Sequence, residues 1–314
     1  MTSLCSHMKK TVILFCLIWS TCAGASAQQL NIATYNLRYE NDGDTKNGNG
    51  WAIRMPVIAD LVRFHDFDIF GTQEGLQQPL NELNAALKDY SYIGVGRDDG
   101  KDGGEHAAIF YKTAKFRLIK KGNFWLSEIT DHPNKGWDAV LPRICSWGAF
   151  QERSSNRIFY FFNTHFDHIG VKARRESAKL ILRKISEIAG EHPAILTGDF
   201  NVDQTNEIYT ILSGSFLKDA YQTAQIRYAT NGTINHFNIN TKTNSRIDHL
   251  FLSSCIRPKR YGILTDSYRT PAPDTTRINT SGNFPKEIAL ENFQARLSSD
   301  HFPVMVVIDL SDCK

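Results

Sequence analysis

The chain has 314 residues, of which 41% are hydrophobic and 22% are charged, with a formal net charge of +3 at pH 7. These proportions are typical of a globular protein with a sizeable core, and no internal segment is long and apolar enough to span a membrane. The small net charge excludes a global electrostatic reason to bind long nucleic acid, although a local basic patch stays open.

The N-terminal region has the pattern of a secretory signal peptide. Lys9 and Lys10 precede an apolar stretch that ends at Gly24, and the small residues Ala25 to Ala27 follow as a cleavage site. We therefore expect residues 1–27 to be removed and the mature protein to be secreted or periplasmic.

After removal of residues 1–27, the chain has a small net charge and three cysteines. Removing the segment takes away two of the 36 basic residues and none of the 33 acidic ones, so the net charge falls from +3 to +1. Cys145, Cys255 and Cys313 remain, which allows at most one disulfide and matches no zinc pattern. Cys22 follows residues that match a lipoprotein signal poorly, so a lipid-anchored form is not expected.

Apolar periodicity predicts alternating strands and helices in the first half of the chain. The predicted order is a strand at 30–36, a glycine-rich loop at 41–50, a helix at 52–64, a strand at 67–73, a helix over 76–87, and strands at 105–111, 124–126 and 144–150. The last three strands are predicted to be antiparallel because short connections join them.

The second half continues the alternation and then becomes rich in loops. The predicted order is a strand at 158–163, a helix at 173–189, a strand from 195, a short helix at 207–212, and strands at 246–252 and 303–310. Residues 266–296 hold three prolines and are predicted to form a long excursion. Because strands and helices interleave without a linker, we predict a single domain over residues 28–314.

Polar groups stand at the predicted strand ends. The apolar run from Ile195 stops at Gly198, and Asp199 and Asn201 follow; alternation predicts that these two side chains share one side at the rim of a sheet. Taken alone, this pattern is more typical of an Asx turn. Five further strand ends carry similar groups, namely Asn36, Glu74, His165, Asp248 with His249, and Asp300 with His301.

Each of these residues has a structural explanation by itself, such as a carboxylate at a helix N-terminus for Glu74. Packing does not explain the whole set, because buried sheets do not place charges at strand ends without partners. We therefore interpret the set as functional.

Six short motifs resemble, in their order, those of the endonuclease/exonuclease/phosphatase superfamily, which includes deoxyribonuclease I, inositol polyphosphate 5-phosphatases and neutral sphingomyelinases. The motifs are Thr34-Tyr35-Asn36-Leu37-Arg38, Gln73-Glu74, Asn163-Thr164-His165, Gly198-Asp199-Phe200-Asn201, Arg246-Ile247-Asp248-His249 and Ser299-Asp300-His301-Phe302-Pro303. Three other segments, at 96–100, 124–127 and 136–138, resemble a secreted bacterial subgroup. The resemblance implies an α/β fold, a four-layer αββα sandwich of two facing mixed β-sheets flanked by helices, with the site across one end.

The resemblance also implies a metal site. Glu74 corresponds to the principal Mg²⁺ ligand, Asn36 supports the metal and the phosphate, and Asp300 adds a second oxygen ligand. Mn²⁺ is expected to substitute for Mg²⁺.

By the same resemblance, Asp199 is the base that orients or deprotonates the attacking water, and Asn201 donates a hydrogen bond to a phosphoryl oxygen. His165 and His301 hold the other oxygens, with Glu105 and Asp248 as their respective carboxylate partners. A base formed by the pair of His301 and Asp248 stays open.

Three arginines are candidates for substrate binding. Arg97 and Arg143 could form a basic pocket, although solvation at the surface would explain them equally well. Arg174 matches an arginine that recurs at the start of the following helix in related subgroups, where it either contacts substrate or braces the loop.

The resulting functional prediction is a secreted, Mg²⁺-dependent phosphodiesterase that uses in-line attack of water. Gln73-Glu74-Gly75-Leu76 lacks the arginine that deoxyribonuclease I has two residues past its glutamate, which argues against double-stranded DNA. Other nucleic acids, a lipid headgroup, a nucleotide diester and a sugar phosphate stay open, and no obligate protein partner is indicated. The alternatives are a phosphomonoesterase of the inositol-phosphatase type and a non-catalytic binding module on the same fold.

Overall fold

The computed structural model describes residues 29–272, 277–278 and 290–313. The predicted signal peptide at 1–27 and much of the predicted excursion at 266–296 lie outside the described residues. Within the described ranges, none of the helices combines the length and the apolar character that crossing a membrane requires.

Helices and strands alternate along the chain. The helices are α1 Asp42–Lys46, α2 Trp51–Phe64, α3 Gln77–Ala86, α4 Val171–Ala189, α5 Glu207–Ser213 and α6 Ala220–Thr223. The strands are β1 Leu30–Asn36, β2 Ile69–Gln73, β3 Tyr90–Ile93, β4 Ile109–Lys112, β5 Phe116–Trp125, β6 Ile144–Glu152, β7 Ile158–His165, β8 Ala194–Asp199, β9 Leu217–Asp219, β10 Ile226–Tyr228, β11 Asp248–Ser253, β12 Arg257–Ile263, β13 Tyr268–Pro271, β14 Arg277–Ile278, β15 Leu290–Glu291, β16 Phe293–Arg296 and β17 Val304–Asp309.

Two large mixed sheets hold most of the strands. The first has the order β10-β12-β17-β1-β2-β4-β3, and the second has the order β5-β6-β7-β8-β11-β9. β1 and β2 are parallel, as are β7 and β8, whereas β17 and β11 run antiparallel to β1 and β8. The remaining strands form the small pairs β13-β16 and β14-β15.

The core lies between the two sheets. Ile32 and Val306 from the first sheet meet Phe161 and Ile195 from the second in one hydrophobic cluster, and all four are fully buried. On the outer faces, α2 and α3 pack against the first sheet, and α4 and α5 pack against the second. This order of layers confirms the expected α/β sandwich of two facing mixed sheets.

Some local predictions were wrong. The run at 41–50 was expected to be a loop, yet residues 42–46 form α1, because the side-chain oxygen of Asn41 accepts the Asp44 N–H at 2.9 Å and caps the helix. The strand predicted at 105–111 begins only at Ile109, since the backbone of His106 bridges to Gly75 and Gly96 instead. The strand predicted at 124–126 is the end of the longer β5.

The topology gathers the polar strand ends at one end of the sandwich. Asn36, His165 and Asp199 are the last residues of β1, β7 and β8. Because β11 is antiparallel to β8, its first residue, Asp248, pairs directly with Asp199. β17 is antiparallel to β1, so His301 just before it also lies at this end.

Candidate active site

Glu74 and Asn36 form the part of the site that the first sheet contributes. Glu74 follows β2 with φ of 62°, an uncommon conformation for a residue other than glycine. Its Oε1 accepts a hydrogen bond from Asn36 Nδ2 at 2.9 Å, and its Oε2 accepts the Tyr39 N–H at 3.1 Å. Both carboxylate oxygens are therefore oriented by neighbouring donors.

Asp199 connects this group to the second sheet. Its Oδ2 accepts a second hydrogen bond from Asn36 Nδ2, at 3.1 Å. The same oxygen lies 3.6 Å from His165 Nε2 and 4.0 Å from His301 Nε2. Asp199 is 2% exposed, so its carboxylate is held among donors in a largely dry environment.

Asn201 lies at the rim, as expected, but it reaches the site through an Asx turn, which is typical of this sequence pattern, and not by strand alternation, because β8 ends at Asp199. Its φ is 50°, and its backbone N–H donates to Asp199 Oδ1 at 2.9 Å. This turn directs the side-chain Nδ2 to 3.1 Å from His165 Nε2 and 3.0 Å from the Phe166 carbonyl oxygen. The amide therefore lies beside the imidazole as a potential donor to a substrate oxygen.

His301 and Asp248 form a buried pair. His301 Nδ1 lies 2.9 Å from Asp248 Oδ2, which leaves Nε2 facing Asp199. Burial opposes the charged imidazole, but the hydrogen bond and charge of Asp248, with further carboxylates nearby, raise the pKa of His301 well above its usual value. A protonated His301 is suited to stabilise negative charge and not to accept a proton.

Glu105 lies beside the other histidine. Its Oε2 is 3.6 Å from His165 Nδ1, and its two oxygens accept hydrogen bonds from Arg97 at 2.6 and 2.9 Å. Burial would raise the pKa of Glu105, but His165, Arg97 and Arg143 outweigh burial and hold that pKa at about 2. Glu105 is therefore a carboxylate at neutral pH.

Two of the three candidate arginines are structural neighbours of His165. Arg97 and Arg143 line a small cavity with Glu105 and His165, and both are less than 10% exposed, so the surface-solvation alternative is wrong for them. Arg143 Nε lies 3.4 Å from Asp167 Oδ2, and its Nη2 lies 3.0 Å from His168 Nδ1.

Arg174, the third candidate, donates from Nη1 to the Asp167 carbonyl oxygen at 2.9 Å. This bond braces the loop that follows β7, which is one of the two roles left open for Arg174.

Two neighbours of Asp300 received no role from the sequence. Arg38, with φ of 56°, places Nη1 at 3.6 Å from Asp300 Oδ2. The backbone N–H groups of Asn235 and His236 donate to the Asp300 carbonyl oxygen at 2.8 and 3.1 Å. Only the position of Arg38 inside a motif pointed to it, and the residues around 235 carried no recognisable signal.

The side chains fit a divalent cation. In one group, the potential ligand atoms of Glu74, His165 and Asp199 lie within 4.8 Å of one another, and Asp199, Asp248 and His301 form a second such group. Glu74 and Asp199 supply the carboxylate oxygens that Mg²⁺ prefers, whereas the second group is occupied by the His301 pair. Among the described residues, Asp300 belongs to neither group.

Residues 33–301 match the family model of the Endonuclease/Exonuclease/phosphatase family. The chain therefore belongs to this family, whose members are hydrolases that act on phosphoesters, and the resemblance seen in the motifs is confirmed.

Two solved structures from Bacteroides thetaiotaomicron are similar to this chain over most of their lengths. A family protein from Bacteroides thetaiotaomicron is 52% identical with a TM-score of 0.83, and the match covers 90% of this chain and 98% of that one. A mannosyl-6-phosphatase from Bacteroides thetaiotaomicron VPI-5482 is also 52% identical with a TM-score of 0.81, covering 89% of this chain and 99% of that one.

Curated relatives are more distant. Nocturnin of Drosophila melanogaster is 26% identical over 203 residues, which are 59% of this chain and 30% of the relative. The chain spans less than two thirds of the length of the curated relatives it matches.

Proposed function

We propose that this protein is a Mg²⁺-dependent phosphomonoesterase that removes the phosphate from the 6-position of a mannose-type sugar residue. The observation that carries the proposal is the 52% identity with a mannosyl-6-phosphatase over 89% of this chain and 99% of that one. This relative favours the monoesterase over the phosphodiesterase that sequence reasoning placed first.

Glu74 would hold the cation, with Asn36 and Asp300 as further oxygen ligands and Mn²⁺ as a substitute for Mg²⁺. Support comes from the oxygen chemistry of these side chains and from the group of ligand atoms that Glu74 forms with His165 and Asp199. Asp300 lies outside that group and rests on the resemblance alone. When bound, the cation supplies positive charge next to the phosphate oxygens and so stabilises the transition state.

The chain's own residues activate the water and stabilise the developing charge. The water oxygen forms a bond to phosphorus while the bond from phosphorus to the sugar oxygen breaks. Asp199 orients the water and accepts its proton. The protonated His301, whose Nε2 lies 4.0 Å from the same carboxylate, stabilises the negative charge on the phosphoryl oxygens, and the departing sugar oxygen takes its proton from solvent water. When substrate binds, Asn201 Nδ2 would exchange its contact with His165 Nε2 for a hydrogen bond to a phosphoryl oxygen, and an imidazole N–H of His165 would donate to a second one as their negative charge increases.

The test is hydrolysis of mannose 6-phosphate, p-nitrophenyl phosphate, bis(p-nitrophenyl) phosphate and supercoiled plasmid, with Mg²⁺ and with a chelator. We expect metal-dependent release of phosphate from mannose 6-phosphate that disappears in Asp199→Ala. Cleavage of the diester or of plasmid alone would replace the proposal with the phosphodiesterase. Thermal stabilisation by Mg²⁺ without any hydrolysis would indicate a binding module.

We also propose that the protein is exported and cleaved after Ala27. A disulfide between Cys255 and Cys313, whose Cα atoms are 5.1 Å apart, supports export because such bonds persist in oxidising compartments. This bridge is the one disulfide that three cysteines can form at a time, and Cys145 is buried and free. N-terminal sequencing of the mature protein should begin at Gln28, and an intact leader on exported protein would contradict the proposal.

A further inference from the structure

A cavity of about 470 Å³ lies at the same end of the sandwich as the candidate active site. Most of its wall comes from the segment between Ala229 and Arg246, which we call the 229–246 segment, and Gln204 and Tyr221 close the other side. This volume is in the range of pockets that hold small ligands. None of the residues assigned above to metal, water or phosphate lines this cavity.

The chain connects the cavity closely to the site. Gln204 lies three residues after Asn201, and Arg246 lies two residues before Asp248. An extended chain spans at most about 3.6 Å per residue. The Cα atom of Gln204 therefore lies within roughly 11 Å of that of Asn201, and the Cα atom of Arg246 within roughly 7 Å of that of Asp248. A hydrogen bond joins the 229–246 segment to the opposite side of the cavity, because the Arg246 N–H donates to Gln204 Oε1 at 3.0 Å.

The middle of the 229–246 segment rests on the active site itself. The N–H groups of Asn235 and His236 donate to the Asp300 carbonyl oxygen, and Ile234 forms a β-bridge with His301. One continuous segment therefore contacts the catalytic histidine and also builds the cavity.

Two features of the middle of this segment lie outside the cavity wall and distinguish it from an ordinary loop. His236 and Phe237 are consecutive non-glycine residues with φ of 52° and 58°, and backbone strain of this kind is concentrated at functional sites. Asn235 is 2% exposed, and its Nδ2 has no hydrogen-bond partner among the described residues. A buried amide donor without a partner is costly, so an acceptor is expected beside Asn235, between the cavity and the active site's Asp300.

The chemistry of the wall suits sugar hydroxyls. Amide, hydroxyl and ammonium groups line it, and within the described part of the chain no carboxylate does. Thr230, Lys242 and Asn244 are exposed, so their side chains are accessible to a ligand. The Arg246 guanidinium covers one ring face of Tyr221, 3.9 Å from the ring centroid. A sugar cannot stack on that face, so it would contact the ring edge and the hydroxyl group of Tyr221.

We propose that this cavity is a subsite for the sugar residues linked to the phosphorylated one, so that the substrate is a 6-phosphorylated oligosaccharide and not a free sugar phosphate. The inference rests on the proposed phosphomonoesterase and adds the class of its substrate. The phosphorylated residue would occupy the active site, and the next residues would extend past the 229–246 segment into the cavity.

The first test compares kcat/KM for mannose 6-phosphate with kcat/KM for an α-linked mannobiose phosphorylated on its non-reducing residue. We expect the wild type to prefer the disaccharide by about tenfold, and the double variant Lys242→Ala/Asn244→Ala to lose most of that preference. Lys121→Ala is the matched control, because Lys121 is an exposed lysine on β5 at the opposite edge of the second sheet. Equal rates on both substrates in the wild type would overturn the subsite.

The second test does not depend on turnover. Isothermal titration of Asp199→Ala with unphosphorylated mannotriose should show binding that Lys242→Ala/Asn244→Ala, added to the same background, weakens about tenfold. If no sugar phosphate is hydrolysed but mannotriose binds in this way, the phosphomonoesterase fails and the subsite stands. If sugar phosphates are hydrolysed and mannotriose does not bind, the subsite fails and the enzyme stands.

Discussion

Asp199 is the residue on which both halves of the site converge. Asn36 donates to it from the first sheet, His165 faces it from the second, and His301 faces it from the segment that precedes β17 of the first sheet. This arrangement leaves Asn201, on the turn directly after Asp199, as the neutral donor next to His165. Each side chain of the site has a separable chemical task, so single substitutions should have different signatures.

Replacing Asn201 with alanine should reduce kcat by about 10²- to 10³-fold, because one preorganised donor to the phosphoryl oxygen is lost. Steady-state kinetics and a thermal melt of the same preparation check this expectation; the melting temperature should fall modestly, because alanine tolerates a φ of 50° less well than asparagine, while the protein stays folded at the assay temperature. Asn201→Asp, which keeps the size and adds a negative charge, should be at least as impaired. A rate near that of the wild type in either variant would remove Asn201 from the mechanism.

Replacing Glu74 with alanine should abolish stabilisation by Mg²⁺. In the wild type, saturating Mg²⁺ should raise the melting temperature, since a ligand that binds only the folded state stabilises it by about 2.7 kcal/mol at 100 times its Kd. Glu191→Ala serves as the control, because Glu191 is exposed and precedes the start of β8, whereas Asp199 of the site lies at the other end of that strand. An unchanged response to Mg²⁺ in Glu74→Ala would assign the cation to other ligands.

His236→Gly should stabilise the protein. Its φ of 52° is strained for histidine and free for glycine, so relief of roughly 1–3 kcal/mol should exceed the entropic cost of about 0.4–1 kcal/mol. His132→Gly, at an exposed position without positive φ, should destabilise by the entropic cost together with the small contribution of its exposed contact with Asp131. Urea denaturation measures the free energy of unfolding of both variants. If His236→Gly lowers it, the backbone of His236 is not strained.

At the scale of elements, α2 joins the two loops that carry the first half of the site. Arg54 lies in α2 and is fully buried. Its Nη1 donates to the carbonyl oxygens of Leu37 at 2.7 Å and of Ser298 at 2.9 Å. Its Nε donates to the Asn49 carbonyl oxygen at 2.7 Å. The helix thereby fixes the segment after β1 to the segment before β17.

Arg54→Met keeps the length of the side chain and removes every donor. Each buried carbonyl left without a partner costs about 1–3 kcal/mol, so we expect a loss of at least 3 kcal/mol in the free energy of unfolding. Arg54→Lys, which restores one donor group, should recover part of the lost free energy of unfolding. Urea denaturation of both variants is the measurement, and equal stability of Arg54→Met and the wild type would disprove the role of α2 as a tie.

The elements also show what the sequence could predict. β1, β2, β7 and β8 were recognisable because an apolar run ended in a polar residue, and α2 and α4 because apolar residues recur with helical spacing. α1 was missed because it depends on one capping side chain, Asn41. β12 was missed because Arg257–Ile263 lacks regular alternation and is placed by its pairing with β17.

The same reasoning applies to the candidate site. Residues at strand ends, such as Glu74 and Asp199, could be predicted because topology alone brings those ends together. The contacts of Arg38 and Asn235 with Asp300 could not, since they depend on loop conformations with positive φ or on backbone hydrogen bonds between distant segments. Sequence patterns carry almost no information about such contacts.

On the scale of the whole molecule, one covalent bond constrains the C-terminal region. Cys255, directly before β12, is joined to Cys313, which follows β17, across 58 residues. The bond therefore reinforces the pairing of β12 with β17 in the first sheet.

The double variant Cys255→Ser/Cys313→Ser should lose about 3–4 kcal/mol of stability, as expected for a closed loop of this length. Dithiothreitol should lower the melting temperature of the wild type to a similar extent and leave that of the double variant unchanged. Equal melting temperatures for the oxidised wild type and the double variant would show that the bond contributes nothing.

The pairing of β1 with β17 determines when activity can arise. The first strand of the described chain lies between β17 and β2, and Leu30 is paired with Ile308 at the other end of the sequence. His301 also comes from this last part of the chain. A polypeptide that has not yet been synthesised as far as β17 therefore has neither a closed first sheet nor its second imidazole. Phosphoester hydrolysis cannot begin until the last strand has been made and has docked beside the first.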